Sequence, residues 1–161
     1  MVSRSEVDLG VKALLILHAA AAIVLIGRTT HGGLLALAWL RGRPGRPKLQ
    51  RIYAAVTAWT YGITFVLGVV LYPPFRLDVR AAYLDRELPL ASAFFEVKEH
   101  WLAIGLFVIA CCWSLRHLLG RKEREPLSTL AHLLAVTLVP VVWLAMFTGL
   151  ALTAIRPVGG T

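Results

Sequence analysis

Four long apolar stretches, separated by short polar segments, dominate the hydrophobic pattern of this chain. They cover residues 11–39, 52–72, 93–119 and 127–155. The hydrocarbon core of a bilayer is about 30 Å thick and an α-helix rises about 1.5 Å per residue, so about 20 apolar residues cross it. The pattern therefore predicts an all-α protein. We expect a four-helix transmembrane bundle that runs up-down-up-down, with residues 1–161 forming a single integral membrane domain.

Proline, glycine and charged residues separate the four predicted helices. A run of arginine, glycine and proline from Arg41 to Lys48 ends the first stretch, and Pro73 with Pro74 is predicted to end the second at Tyr72. Within the second stretch, small residues recur at four-residue spacing and form a smooth stripe on one helix face: Ala54, Ala58 and Gly62. Small residues at this spacing let two membrane helices approach closely, so we expect the stripe to pack against another helix.

Basic residues collect in the first and third connections between the predicted helices. They are Arg41, Arg43, Arg46, Lys48 and Arg51 in the first connection, and Arg116, Arg121, Lys122 and Arg124 in the third. Cytoplasmic loops of membrane proteins carry an excess of lysine and arginine, so both termini are predicted on the non-cytoplasmic side. The net charge of +8 thus reflects membrane topology and does not indicate a nucleic-acid partner. We expect the protein in a prokaryotic inner (cytoplasmic) membrane.

The five histidines all fall within the predicted helices or at their ends. His18 and His100 each lie about two turns from the non-cytoplasmic end of their helices, and so at the same depth. His31 and His132 lie near the cytoplasmic ends of the first and fourth helices, with His117 close by at the end of the third. His18 and His31 are separated by about 20 Å along the helix axis, which suits two sites stacked across one membrane.

Paired imidazoles at two depths indicate haem. An ionisable group inside a membrane is costly and is a functional-site hypothesis by default, and a bis-histidine haem needs an axial nitrogen on each side of the iron. We therefore expect two b-type haems, one held by His18 and His100. The second is predicted between His31 and His132, with His117 as the substitute ligand. Arg28, one turn from His31, is predicted to pair with a haem propionate. Alternatively, the helix leaves the membrane near Arg28 and projects toward a partner subunit.

Two further groups of residues offer weaker hypotheses. Glu96 and His100 are four residues apart and share a helix face, so they would suit a non-haem metal or a carboxylate that orients the imidazole. Cys111 and Cys112 are adjacent and point in different directions on a helix, so we expect them to be small apolar residues and not a metal site.

These patterns predict a membrane b-type cytochrome subunit. It would carry electrons across the lipid bilayer between a quinone and a redox partner, within a larger respiratory complex whose other subunits it contacts. We expect an electron-transfer subunit more than a complete enzyme, because the sequence contains no phosphate-binding loop, GxSxG or HExxH. Two alternatives are a non-redox structural or assembly subunit, and a small proton or ion transporter that uses Arg28, Glu96 and Glu99.

Overall fold

Long helices make up nearly all of the structure. The computed structural model of the chain describes residues 4–43, 45, 47–119 and 125–155. Its long helices are α1 (Arg4–Leu40), α2 (Pro47–Pro74), α4 (Pro89–Leu119) and α5 (Glu125–Ile155). A π-helical segment (Phe75–Leu84) and the short α3 (Asp85–Glu87) lie between α2 and α4. The prediction of an all-α protein is confirmed, since these described ranges contain no strand.

Three of the described helical stretches are long and apolar enough to cross a membrane. They are Leu9–Leu40, Lys48–Glu87 and Pro126–Ile155. These lengths support an integral membrane protein and match the first, second and fourth predicted spans. α4 is a further long helix at the predicted third position, and the charged residues Glu96, Lys98 and Glu99 interrupt the first half of its apolar run.

The predicted stop at Pro73 and Pro74 is wrong, because the helical path continues through both prolines. A proline φ suits a helix, but the two missing N–H groups leave the carbonyls of Val69 and Val70 without their usual partners. After the prolines the chain adopts the wider π-helix, in which each N–H reaches the carbonyl five residues back. The Asp85 N–H, for example, bonds to the Arg80 carbonyl. The path ends at Leu88, whose backbone angles (φ −140°, ψ 64°) are not helical; the residue before a proline is disfavoured in the helical region.

Helix packing follows a ring in which each long helix contacts two others. α1 packs against α2 and α5, and α4 packs against α5 and α2. A buried apolar cluster joins all four helices: Leu25, Tyr61, Val108, Leu138 and Val142. Glycine permits one close crossing, because a Cβ on Gly33 of α1 would collide with Val139 of α5. Tyr61 and the apolar residues packed around it thus fill the space between the four long helices near their middle.

The π-helical segment is fixed to the start of α4 by both packing and charge. Val79, Leu84, Phe95 and Leu152 form a second buried cluster there. Ser92 Oγ donates a hydrogen bond of 2.5 Å to the Asp85 carboxylate. Arg80 pairs with the carboxylates of Asp85 and Glu96. We call this end of the structure the π end, and the opposite end, where α1 passes into α2, the turn end.

Candidate functional site

A cavity opens between the four long helices in the half of the structure near the turn end. Its volume is about 170 Å³, and it is partly open to the outside. Its wall is mostly small and apolar, with a few polar groups. The residues that line it are Thr29, Gly32, Gly33, Ala36, Gln50, Arg51, Tyr53, Ala54, Thr57, Ala58, Ile109, Cys112, Trp113, Ser128, Ala131, His132, Ala135 and Leu138. We call it the inter-helix cavity.

Among the described side chains, His132 of α5 is the imidazole in the wall of this cavity. Its Nδ1 lies 2.6 Å from the backbone carbonyl of Ser128, four residues earlier on the same helix. Its ring stacks on Trp39 of α1, with ring centroids 4.1 Å apart and planes 6° from parallel. A neutral imidazole that donates from Nδ1 to a carbonyl carries its lone pair on Nε2, which is the arrangement found in metal-ligating histidines. The structure therefore holds the His132 ring in one place and one tautomer.

His31 and Arg28 lie beside the cavity and not in its wall. The His31 side chain is exposed, with Nδ1 at 2.9 Å from the Gly27 carbonyl. Its ring stacks on Tyr53, with centroids 6.2 Å apart, and the Arg28 guanidinium lies 5.4 Å from the centroid of the same ring. Tyr53 itself lines the cavity. The structure thus brings Arg28 and His31 to one tyrosine, which stands at the cavity wall.

His18 and His100, which the sequence predicts as one ligand pair, have different surroundings. The His100 side chain is exposed, and its Nδ1 lies 2.7 Å from the Glu96 carbonyl. The His18 ring is half-buried against the backbone of α2, where a Cβ added to Gly68 would lie 3.3 Å from His18 Cε1. His18 Nδ1 is buried and has no hydrogen-bond partner among the described residues. The two imidazoles therefore differ in burial and in bonding.

The Glu96 carboxylate does not orient the His100 imidazole. It pairs with Arg80 of the π-helical segment, and His100 bonds to the backbone carbonyl of Glu96 instead. Across the described ranges, no three His, Cys, Asp or Glu side chains lie close enough together to hold a metal ion. His117 is part of α4, but its side chain lies outside the described residues. The hypothesis for His117 stays a prediction.

The small-residue stripe of α2 has a different role from the one expected. Ala54 and Ala58 line the inter-helix cavity, and a Cβ on Gly62 would meet nothing within 4 Å. The stripe therefore borders open space and does not pack tightly on a neighbouring helix. Small residues also face this space from α1 and α5, at Gly32, Gly33, Ala131 and Ala135. Small residues at one depth on three helices could have indicated the cavity. The pattern of a single helix does not show it.

We find no match to this chain among protein-family models, curated proteins or solved structures.

Proposed function

We propose that this protein is a membrane b-type cytochrome subunit that holds a haem in the inter-helix cavity. It carries electrons between a quinone and a redox partner, within a larger respiratory complex of a prokaryotic inner membrane. The observation that carries the proposal is His132. Its ring stands in the wall of a cavity between apolar helices and is fixed by the Ser128 carbonyl and the Trp39 ring.

The cavity lining fits a flat, mostly apolar cofactor with acidic substituents. Glycine and alanine on α1, α2 and α5 leave these parts of the cavity wall without long side chains. A planar macrocycle would therefore contact backbone and methyl groups there. Arg51 also lines the cavity, and a guanidinium is well suited to a carboxylate such as a haem propionate. His132 would hold the iron and Arg51 a propionate. The haem, when bound, supplies one-electron chemistry, and the chain supplies binding, orientation and an apolar environment.

Among the described side chains one imidazole lines the cavity, so a haem held by two histidines would need a second one from elsewhere. His31 adjoins the cavity through its stacking on Tyr53, and it would reach inward only by giving up its bond to the Gly27 carbonyl. We propose His31 as that second ligand. The proposal is limited to one haem, because His18 and His100 lie in unlike surroundings at the π end.

The membrane arrangement is part of the same proposal. α4 is 31 residues long and packs on α2 and α5, which are both apolar enough to cross a bilayer. We propose that α4 crosses as the fourth span of the bundle. The basic first and third connections then face the cytoplasm, and both termini face the other side.

The test is haem content of the purified chain. In detergent we expect a reduced b-type spectrum and about one haem per chain by the pyridine-haemochrome assay. His132→Ala should abolish this spectrum, because it removes the imidazole in the cavity wall. His100→Ala should retain it in full, whereas the two-haem arrangement expected from the sequence would lose half.

A folded but colourless preparation would contradict the proposal and favour the structural or assembly subunit. Full haem content in His132→Ala would also contradict it. Folding of each variant is checked by circular dichroism and by a symmetric elution peak in gel filtration.

A further inference from the structure

A second cavity, bordered mostly by polar side chains, lies at the π end. Its volume is about 300 Å³, and the residues that line it are Tyr72, Arg76, Arg80, Ala81 and Asp85. Tyr72 belongs to α2 and Asp85 to α3, and the other three belong to the π-helical segment between them. Two guanidinium groups and one carboxylate thus lie around one open space. We call it the π-end cavity.

The two arginines of the π-end cavity differ in their ion pairs. Arg80 pairs with the carboxylates of Asp85 and Glu96. Arg76 is exposed, and across the described ranges no carboxylate lies within 4.0 Å of its guanidinium. A guanidinium presents N–H donors in a planar fork that matches the oxygens of a phosphate. The cavity therefore offers an anion one cation that no ion pair neutralises.

Asp85 gives the same cavity a hydrogen-bond acceptor. Its carboxylate accepts a hydrogen bond from Ser92 Oγ and lies 3.5 Å from Arg80 Nε, and both contacts use Oδ1. The Asp85 side chain is 46% exposed. A carboxylate accepts several hydrogen bonds over its two oxygens, so Oδ2 can take a further donor. An occupant with an anion at one end and a cationic donor at the other would match Arg76 and Asp85 together.

The π-end cavity lies at the depth of the lipid headgroups. The part of α2 from Ile52 to Tyr72 is already about 30 Å long, which is the thickness of the hydrocarbon core. The residues that follow Tyr72 therefore reach the polar layer of the bilayer. Exposed apolar side chains lie at this end as well, among them Leu77 and Leu90, which are 68% and 72% exposed. Acyl chains of a lipid can cover such side chains.

We propose that the π-end cavity binds the headgroup of one phosphatidylethanolamine molecule. The lipid phosphate accepts hydrogen bonds from the Arg76 guanidinium, and the primary ammonium donates to Asp85 Oδ2. An anionic lipid would be repelled by the Asp85 carboxylate, and phosphatidylcholine has no N–H to donate to it. The inference goes beyond the proposed function, and it does not depend on a bound haem.

The test is lipid retention, measured by native mass spectrometry of the full chain. The protein in detergent is incubated with equal amounts of dioleoyl phosphatidylethanolamine, phosphatidylcholine and phosphatidylglycerol, which differ in mass. We expect one phosphatidylethanolamine per chain, retained at least fivefold more than either other lipid. Phosphatidylcholine has the same phosphate, so the comparison with it tests the contact to Asp85 without any substitution.

Two substitutions test the two ends of the headgroup separately. Arg76→Gln should lower the retention of phosphatidylethanolamine at least fivefold, because it removes the donor to the phosphate. Asp85→Asn should lower it too but should not lower the retention of phosphatidylglycerol, because only the ammonium needs the carboxylate. The matched control is Arg86→Gln, which removes an exposed arginine of α3 that does not line the cavity and should leave retention unchanged.

Thermal unfolding in lipid-free detergent separates a binding role of Arg76 from a structural one. Arg76 has no ion pair within the part of the chain that the structure describes, so Arg76→Gln should unfold at the same temperature as the unmodified chain. Loss of retention at an unchanged unfolding temperature supports the inference. Loss accompanied by a lower unfolding temperature assigns Arg76 a structural role and overturns it.

Four other outcomes would also overturn the inference. Equal retention of the three lipids would show general contact with headgroups, and a preference for phosphatidylglycerol would identify an anionic lipid site. Unchanged retention in Arg76→Gln would exclude the contact to the phosphate. An equal loss in the control Arg86→Gln would show that the total positive charge at this end, and not the π-end cavity, holds the lipid.

Discussion

Tyr61 shows how one polar side chain is accommodated among apolar helices. Its side chain is 1% exposed, and its hydroxyl donates a hydrogen bond of 2.6 Å to the Leu102 carbonyl of α4. A Cβ on Gly105 would overlap this hydroxyl, and it would also lie 3.2 Å from Cγ1 of Val141 on α5. Gly105 is therefore needed for space at this contact, and not for backbone freedom.

We predict opposite effects of alanine at two glycines in the helices. Gly105→Ala should destabilise the protein by about 1–3 kcal/mol, because its methyl group overlaps the Tyr61 hydroxyl and both neighbours are packed. Gly62→Ala should be neutral or stabilising by up to about 1 kcal/mol, since its methyl group meets nothing within 4 Å. Thermal unfolding in detergent measures both.

A double variant checks the reason for this difference. Tyr61→Phe removes the hydroxyl that the new methyl group would meet, so it should recover part of the loss in Gly105→Ala. Additive effects of the two substitutions would show that the overlap with the hydroxyl is not the cause.

The positions of the histidines could be predicted from the sequence, but not what their rings contact. His31, His100 and His132 all direct Nδ1 to the carbonyl four residues earlier. That bond depends on side-chain torsion angles, which hydrophobic periodicity does not contain. Depth along a helix follows from residue counting alone, and so His18 and His100 looked equivalent although one ring is half-buried and the other exposed.

At the scale of elements, the junction between the π-helical segment and α4 combines packing with ion pairs. Phe95 is 7% exposed and contacts the rings of Tyr72 and Phe75. Arg80 pairs with Asp85 and Glu96, whose side chains are 46% and 54% exposed. Ion pairs with such exposed partners contribute little, typically less than about 1 kcal/mol. Packing around Phe95 should therefore dominate the stability of the junction.

We predict that Phe95→Ala destabilises the protein by about 3–5 kcal/mol, and that Arg80→Gln costs less than about 1 kcal/mol. Unfolding temperatures in the same detergent, at low and high salt, measure this difference. The small loss in Arg80→Gln should shrink further in high salt, because screening weakens exposed pairs. An equal or larger loss for Arg80→Gln would mean that charge, and not packing, holds the junction.

The second helix shows where sequence rules fail for an element. Proline usually ends a helix, and two in a row strengthened that prediction at Tyr72. The structure absorbs them because the π-helical path after Pro74 has its own hydrogen bonds, and because Val79 and Leu84 are buried against Phe95 and Leu152. Tertiary packing of this kind is not visible in local sequence, and it outweighs the local preference of proline.

At the scale of the whole molecule, the distribution of basic residues predicts the orientation in the membrane. Arg43 and Arg86 are both exposed and lie at opposite ends of the structure, in the turn after α1 and in α3. In a background where Cys111 and Cys112 are replaced by alanine, we predict different labelling of Arg43→Cys and Arg86→Cys. A membrane-impermeant maleimide applied to intact cells should label Arg86→Cys only. Labelling of Arg43→Cys alone would contradict this prediction and indicate the opposite orientation.

Much of the architecture follows from the apolar pattern, since three of the four predicted spans reappear as helices apolar enough to cross a membrane. The inter-helix cavity does not follow from it. Ala54 and Ala58 have the same spacing whether they meet another helix or open space, and only the arrangement of α1, α2 and α5 decides between them. The sequence likewise could not distinguish His132, which lines that cavity, from the other histidines.

The π-helical segment spaces the residues of one helix face more widely than an α-helix does. Its buried residues Val79 and Leu84 are five apart, and so are the paired residues Arg80 and Asp85. In an ordinary α-helix, residues on one face are three or four apart. Loss of one exposed residue between these positions, such as Ala81, would restore that spacing and keep both buried residues facing Phe95. We therefore expect the chain to tolerate the loss of one residue in this segment, because the residues that pack on α4 stay aligned.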